Sequence, residues 1–383
     1  MLTLLAAASA SSLYNVQFAQ GVDAAVRAAH VAELPAHVAL GATFRIGDVA
    51  GYTASFASAS AAAAHLAASQ RLLQRVERDV AMHAKGALPS CYTQKNVPSW
   101  GLARVSEKKP PLDGTYRFEQ GVGAGADIYV LDTGVRTTHK QFSGRASFGH
   151  NAAGGKVDTD TDGHGTFVAG VAAATEYGVC KLCSVISVKV FTDGGDCSAA
   201  ILIKAFDWVA AQYKAKPNRT VVINVSVGGD PGETSDVMDA AVNALVAMGV
   251  HVVGAAGNEN TDACTESPGR AARIIAVGSS VLLAETSDYF LGGSNFGKCV
   301  SLFAPGDKIV SLGISSDTAV GVTDSGTSFS SPHVAGALAR LASSHPDLGV
   351  AAVQGMLMNA TLKGAIGGVP KGTANLLLHQ ECA

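Results

Sequence analysis

Long apolar strands alternate with helical segments through the last three quarters of the 383-residue chain. Runs of consecutive apolar residues are typical of strands in a parallel sheet, because such strands are buried on both faces. Helices between parallel strands supply the crossover connections that these strands need. The pattern therefore predicts an α/β, three-layer fold with a mostly parallel central sheet. The predicted strands are 126–134, 184–191, 220–229 and 250–258, and the predicted helices are 165–175, 198–216, 235–249 and 328–345.

The first 90 residues have a different pattern and predict a separate small α+β domain over 13–90, ahead of a main domain over 91–383. Alternating apolar residues predict its strands, and apolar residues at helical spacing predict its helices. The predicted strands are 13–19 and 51–57, and the predicted helices are 22–33 and 60–79.

Two further segments, residues 1–12 and 84–100, are interpreted as a signal peptide and an exposed linker. Residues 1–12 are apolar and end in small residues, which is typical of a truncated signal peptide. Residues 84–100 are polar and contain two prolines and a glycine, which indicates an exposed linker.

Composition disfavours several kinds of partner. A formal net charge of −3 predicts no basic surface for nucleic acid. The chain has no run of about 18 uninterrupted apolar residues, so no membrane span is expected. Seven cysteines are better explained by disulfides of a secreted protein than by zinc, since Cys180-x-x-Cys183 has no second ligand pair at suitable spacing.

Three chemically complementary residues lie at element boundaries. Asp132 ends a predicted strand, His164 lies between two glycines at a helix start, and Ser328 begins the helix at 328–345. Each alone has an ordinary interpretation as a turn, loop or capping residue. Together, an acid, a base and a hydroxyl in this order match one known order of the serine-hydrolase triad.

Two other motifs are interpreted as structural. His333 lies five residues after Ser328, about 1.4 turns along the same helix, and so faces away from it. The glycines in 121–125 precede a strand, whereas the glycines of a dinucleotide fingerprint follow one.

Five blocks of the sequence resemble the signature blocks of the subtilisin-like serine proteases, peptidase family S8. The likeness is greatest to the proteinase K group and covers about residue 95 onward, while residues 13 to about 88 resemble the group's inhibitor I9-type propeptide. The resemblance implies a subtilisin-like fold for the main domain. The blocks, in the family's order, are IYVLDTGV (128–135), DGHGTFVAG (162–170), INVSVGG (223–229), VVGAAGN (252–258) and SGTSFSSPHVAG (325–336).

The resemblance implies a role for each matching residue. Ser328 would be the nucleophile, His164 the general base, and Asp132 the group that orients and stabilises the imidazole. The side chain of Asn258 and the backbone N–H of Ser328 would form the oxyanion hole. The residues that would bind substrate are Ser226, Val227, Gly228, Gly229, Ala255, Ala256 and Gly257.

Specificity is predicted from the same residues. An extended substrate that pairs with 226–229 through its main chain would be recognised largely without regard to sequence, which predicts broad specificity. The pocket for the residue before the cut would have small walls and no acidic residue from the blocks, although Asp230 adjoins them. We therefore expect a preference for apolar or aromatic side chains there.

The chain departs from the family pattern at several positions. Phe167 and Phe329 stand where histidine and methionine are usual. The group's strong calcium site uses an aspartate after an FxPG turn, and Lys308 stands at that place with Asp307 one residue earlier. Because calcium needs oxygen ligands, structural calcium is disfavoured, and no metal or cofactor is expected for catalysis.

The resemblance also implies one disulfide. Cys264 and Cys299 match a pair found in bacterial relatives of the group. We expect Cys197 to pair with Cys180 or Cys183. Partners for Cys91 and Cys382 are not assigned.

The resemblance implies a secreted, monomeric endopeptidase made as a self-processed zymogen, which acts on proteins and peptides. Residues 13–90 would template folding and act as an intramolecular inhibitor, with cleavage between about Met82 and Tyr92. A catalytically inactive binding module is an alternative, but the intact set of catalytic residue types argues against it. A proprotein convertase is a second alternative, which would have acidic pocket residues and a further β domain after the main one.

Overall fold

A computed structural model describes residues 12–79, 91–216 and 219–382. The chain forms two compact units, residues 1–86 and 87–383. The signal-peptide prediction at 1–12 and the expected cleavage segment lie almost wholly outside the described residues. Over the described ranges, no helix combines the length and the apolar character needed to cross a membrane.

The first unit is a four-stranded antiparallel sheet with two helices, in the sheet order β2-β3-β1-β4. Its core contains the buried side chains of Val16, Tyr52, Phe56 and Leu73. The elements are β1 (Ser12–Phe18), α1 (Ala24–Ala32), β2 (Ala39–Ile46), β3 (Val49–Phe56), α2 (Ala59–Ala68) and β4 (Leu73–Arg78).

The single helix predicted over 60–79 is wrong in its second half. Helix α2 ends at Ala68, and the following residues form edge strand β4, which pairs with β1 so that Val76 lies opposite Val16. Leu73 is buried and Arg75 and Glu77 are exposed. Pairing with a neighbouring strand therefore overrides the helical preference of this charged segment.

The second unit is built on a long sheet in the order β17-β18-β14-β12-β11-β10-β7-β9-β8, with β13 beside β12. All the pairs from β8 to β18 along this order are parallel, and only β13 and β17 run antiparallel to their neighbours. Two separate hairpins are β5–β6 and β15–β16. The strands are β5 (Cys91–Lys95), β6 (Thr115–Glu119), β7 (Ala126–Asp132), β8 (Ala146–Asn151), β9 (Ser184–Lys189), β10 (Thr220–Val225), β11 (His251–Ala255), β12 (Ile275–Leu283), β13 (Ser287–Phe290), β14 (Leu302–Pro305), β15 (Ile309–Leu312), β16 (Val320–Asp324), β17 (Leu362–Lys363) and β18 (Leu376–Leu377).

Helices cover both faces of this sheet, which confirms the predicted three-layer fold. Along β7, Ile128 and Val130 face the core under α4 and α7, whereas Tyr129 and Leu131 face the core under α5 and α6. This alternation follows from the two-residue period of a strand that is buried on both sides. The helices are α3 (Trp100–Ser106), α4 (His164–Ala173), α5 (Ala199–Ala215), α6 (Asp236–Met248), α7 (Thr327–Ser344) and α8 (Val350–Ala360).

The linker prediction for 84–100 is wrong where the segment is described. Residues 91–95 form β5, which pairs with β6, and α3 begins at Trp100. The pairing supplies partners for backbone groups that a free linker would leave to water.

The structure forms three disulfides. Cys264 bonds to Cys299 as expected, and Cys91 bonds to Cys382. Cys180 bonds to Cys183, so the expected pairing of Cys197 with either of them is wrong. The reason is topological, because Cys180 and Cys183 lie in the core under α4 and α7, while Cys197 packs against the core on the opposite face of the sheet.

Candidate active site

The site lies at the carboxyl edge of the sheet. Strands β7, β10 and β11 are parallel neighbours, with β10 in the centre. Their carboxyl ends bring Asp132, Ser226 and Asn258 to one edge, where ligand sites of parallel sheets form. Two helices start at the same edge, α4 at His164 and α7 just before Ser328.

Asp132 and His164 are joined by a hydrogen bond. The imidazole Nδ1 lies 2.7 Å from Asp132 Oδ1. Asp132 is fully buried, and its Oδ1 also accepts the N–H of Thr133 at 2.7 Å. Glycine is required next to the histidine, since a Cβ on Gly165 would lie 2.1 Å from the carbonyl of Gly134. The packed backbone therefore holds the ring against the carboxylate, and none of the hydrogen bonds of the described residues engages Nε2.

The pKa of His164 reflects two opposing effects. Burial by itself lowers the pKa of the imidazole. The charge and hydrogen bond of Asp132, with smaller contributions from Asp162 and Asp324, outweigh burial and raise the pKa to about 9. Asp132 therefore stabilises the imidazolium, which is the form of His164 after it has taken a proton as a general base.

A second buried carboxylate, Asp160, holds the start of α4 and was missed by the sequence analysis. Its Oδ1 accepts the Thr133 hydroxyl at 2.9 Å and the Gly163 N–H at 2.9 Å. Its Oδ2 accepts the N–H and the hydroxyl of Thr166 at 2.9 and 2.6 Å. An aspartate that precedes a helix start in DTDGHG is a recognisable capping signal, and here it ties β7 to α4 and so fixes the Asp132–His164 pair.

Ser328 lies in the first turn of α7 and is held by Ser226. Pro332 has no N–H to bond the carbonyl four residues earlier, and the Ser226 hydroxyl donates to this Ser328 carbonyl instead, at 2.9 Å. The Ser328 hydroxyl in turn donates to the Ser226 carbonyl at 3.3 Å. Among the hydrogen bonds of the described residues, none joins this hydroxyl to His164.

The side chain of Asn258 is oriented by the loop before α7. Its Oδ1 accepts the N–H of Thr327 at 2.8 Å and the Thr327 hydroxyl at 3.0 Å. A backbone N–H can only donate, so this contact fixes which end of the amide faces the helix. The Nδ2 group is left as a donor, and Asn258 lines the same cavity as Ser328.

The two phenylalanines that depart from the family pattern pack on each other. The ring centroids of Phe167 and Phe329 are 4.5 Å apart, and that of Phe329 is 5.4 Å from that of His164. Phe329 is 3% exposed. The two phenylalanines therefore form one aromatic contact next to the imidazole of His164.

A cavity of about 160 Å³ opens beside Ser328. Besides the small residues expected there, Glu259 and Glu266 line it, which the sequence analysis did not foresee. Of the predicted substrate-binding residues, Val227 lines a neighbouring cavity of about 600 Å³. The others lie at the smaller cavity itself, namely Ser226, Gly228, Gly229, Ala255, Ala256 and Gly257.

The segment considered for calcium is occupied by internal hydrogen bonds. Asp307 Oδ1 accepts the Ser325 hydroxyl at 2.9 Å, and the Asp307 carbonyl accepts Trp100 Nε1 at 2.8 Å. The described residues contain no cluster of three or more His, Cys, Asp or Glu side chains suited to a metal.

His333 is structural, as interpreted from the sequence. It is buried and its Nδ1 bonds to the carbonyl of Phe329 at 2.8 Å. Burial lowers its pKa to about 4.

Sequence comparison finds related fungal proteins. Subtilisin-like serine protease Pen c 2 of Penicillium citrinum is 40% identical over 324 residues, which cover 79% of this chain and 68% of that protein. The subtilase-type proteinase isp6 of Schizosaccharomyces pombe, described as putative and as acting in sexual differentiation, is 38% identical over 79% of this chain and 62% of its own length. The chain thus spans roughly two thirds of the curated relatives it matches.

Structure comparison and the family profile agree with these relatives. A cold-adapted subtilisin-like serine proteinase is 35% identical, with a TM-score of 0.65 over 74% of this chain and 98% of that one. A structure described as S41 psychrophilic protease is 26% identical, with a TM-score of 0.64 over 75% of this chain and 99% of its own. The subtilase family profile matches residues 123–377. The chain therefore belongs to the subtilase family, peptidase S8, whose members are serine-type endopeptidases.

Proposed function

We propose that this chain is a secreted serine endopeptidase that cleaves peptide bonds through an acyl-enzyme on Ser328. The observation that carries the proposal is the bond of 2.7 Å between Asp132 and His164 at the sheet edge that also holds Ser328. The family supplies the reaction class, and this geometry supports the proposed roles of the residues.

Each group has a defined step. The Ser328 hydroxyl leaves the Ser226 carbonyl, gives its proton to His164 Nε2 and attacks the scissile carbonyl. His164 then passes the proton to the leaving amine, while Asp132 stabilises the imidazolium. The N–H of Ser328 and Nδ2 of Asn258 stabilise the oxyanion that forms on the carbonyl oxygen. Water hydrolyses the acyl-enzyme by the same proton transfers.

Replacement of Asn258 by alanine should lower kcat by about 100- to 1000-fold with KM little changed, because the donor acts on charge that develops in the transition state. Steady-state cleavage of a peptide anilide measures this. Asn260, which is exposed two residues later, gives the matched control Asn260→Ala, expected to stay near wild-type kcat. An equal loss in both variants would contradict a specific role for Asn258.

Substrate is proposed to bind as an extended strand along 226–229, which gives broad specificity through main-chain hydrogen bonds. The expected apolar or aromatic preference rested on small walls formed by Ala255, Ala256 and the neighbouring glycines. The two glutamates at this cavity, Glu259 and Glu266, add charge to those walls.

A fluorophosphonate probe should label the wild-type protein once after residues 13–90 have been removed by processing, and the Ser328→Ala variant should not be labelled. The probe forms a covalent bond only with a serine activated by a base. Intact-mass spectrometry measures the adduct. Ser325→Ala, a change in the same loop, should still label. Labelling that persists in Ser328→Ala would assign the nucleophile elsewhere, and absence of labelling in the wild-type protein freed of residues 13–90 would support a binding module.

Residues 13–90 are proposed to be an inhibitory propeptide, and processing is proposed to be autocatalytic. A mostly parallel sheet has many non-local contacts and folds slowly, so a folding template is useful. The same Ser328→Ala chain should keep this segment attached, with no cut between Met82 and Tyr92.

Secretion is supported by the three disulfides, which persist in oxidising compartments. The mature enzyme is proposed to be a monomer without a catalytic cofactor.

A further inference from the structure

We propose that the pocket for the residue before the cut prefers a cationic side chain, lysine or arginine, held by Glu259 and Glu266. The inference rests on the proposed function, because it assumes that the cavity beside Ser328 receives that residue. Both glutamates line this cavity together with Ser328 and Asn258.

The two carboxylates converge on one wall of the cavity. A Cβ built on Gly257 would lie 2.5 Å from Glu266 Oε2 and 2.7 Å from Glu259 Oε2. Asn295 Nδ2 donates to both, at 2.9 Å to Glu259 Oε2 and 2.9 Å to Glu266 Oε1. Only a glycine at position 257 leaves room for this approach, so the acids are packed directly against the backbone that walls the pocket.

Among the side chains that the structure describes, none provides this pair with a cation. Within the described residues, no Lys, Arg or His forms an ion pair with either glutamate. Their other donors are neutral, the N–H of Asn258 at 2.6 Å to Glu259 and the Thr261 hydroxyl at 3.3 Å to Glu266. Arg270, the cation nearest in sequence, is engaged by Asp236 and Asp239.

Burial makes the charge of Glu266 costly unless a ligand compensates it, whereas Glu259 is exposed at the same cavity. Glu266 is 3% exposed, and burial followed by the charge of Glu259 raises its pKa. A buried carboxylate normally has a cationic partner, and two carboxylates that share one amide donor repel each other. An ammonium or guanidinium group that enters the cavity would supply the missing countercharge, whereas an aromatic ring would desolvate the acids without compensation.

The test compares substrates that differ only in the residue before the cut. Tetrapeptide anilides with lysine, norleucine or phenylalanine at that position are cleaved by the self-processed wild-type protein, and kcat/KM is measured for each. Norleucine has the length of lysine without its charge. Because hydrogen bonds to charged groups discriminate strongly, we expect lysine to be preferred over norleucine by about 10- to 100-fold.

Glutamine replacements assign the preference to the pair. Glu266→Gln should lower the ratio of lysine to norleucine by about tenfold, and Glu259→Gln combined with it should abolish the preference. Glutamine keeps an oxygen that can accept from Asn295, so the fold is perturbed little. Glu233→Gln is the matched control, since Glu233 lines the neighbouring cavity, and it should leave the ratio unchanged.

The outcomes separate this inference from the proposed function. A wild-type chain that labels with fluorophosphonate and cleaves phenylalanine or norleucine substrates better than lysine overturns the inference alone. A ratio that survives in the double glutamine variant, or that falls equally in Glu233→Gln, also overturns it. A chain that neither labels nor cleaves any of the anilides overturns the proposed function. If the variants fold poorly, inhibition of the wild-type protein gives an independent measurement. n-Butylammonium should inhibit anilide cleavage competitively at concentrations at which n-butanol does not.

Discussion

Replacement of Asp132 by asparagine should lower kcat by about 10,000-fold while the protein remains folded. The amide has the size of the carboxylate, but it can turn either its NH2 group or its oxygen towards His164. It therefore no longer enforces the imidazole tautomer in which Nε2 carries no proton. It also removes the charge that stabilises the imidazolium. Steady-state kinetics on a peptide anilide measure the loss, and circular dichroism checks the fold.

The pH dependence gives this prediction a second readout. The base works only when neutral, so with a His164 pKa of about 9 the value of kcat/KM should rise through about pH 9 and be lost below it. Without the Asp132 charge the pKa falls, and the rising limb should move to lower pH. Asp324→Asn, which removes a weaker charge near His164, should shift the limb slightly and leave kcat within a few-fold. An unmoved limb in Asp132→Asn would contradict the assigned role.

Replacement of Arg104 by methionine should lower the free energy of unfolding by about 3–5 kcal/mol. Arg104 is 0% exposed, and it donates to both carboxylate oxygens of Asp288, at 2.8 to 3.1 Å, so joining α3 to β13. Methionine fills much of the same volume but leaves the Asp288 carboxylate buried without its cation. Urea unfolding of the Ser328→Ala form, in which self-digestion is absent, measures the change.

Two further variants make the measurement specific. Arg117→Met removes an exposed pair with Asp113 and should cost less than about 1 kcal/mol. The double variant Arg104→Met with Asp288→Leu should recover much of the lost stability, because it removes both buried charges. A single variant as stable as the wild type would show that the pair is dispensable.

The parallel sheet and the candidate triad could be predicted from the sequence for a physical reason. Strands buried on both faces have continuous apolar runs, and polar residues at their ends, such as Asp132, are conspicuous. Glycine next to His164 is required by the backbone of Gly134, so the motif reflects local geometry as well as chemistry.

The remaining features depend on contacts between distant segments. The edge strand Leu73–Arg78 has the composition of a helix and is a strand only because β1 lies beside it. Glu266 follows Asn258 by eight positions, and its place at the pocket depends on the loop that carries Asn295. Cys197 was given the wrong partner because residues close in sequence to Cys183 can lie on the opposite side of a sheet.

The bond between Cys91 and Cys382 gives the second unit the topology of a closed ring. The two cysteines are separated by 291 positions, so residues 92–381 all lie inside one covalent circuit. A single nick anywhere in that circuit yields fragments that stay connected and migrate as one species until a reductant is added. An enzyme exposed to its own activity would thus tolerate a first internal break without losing a piece of its framework.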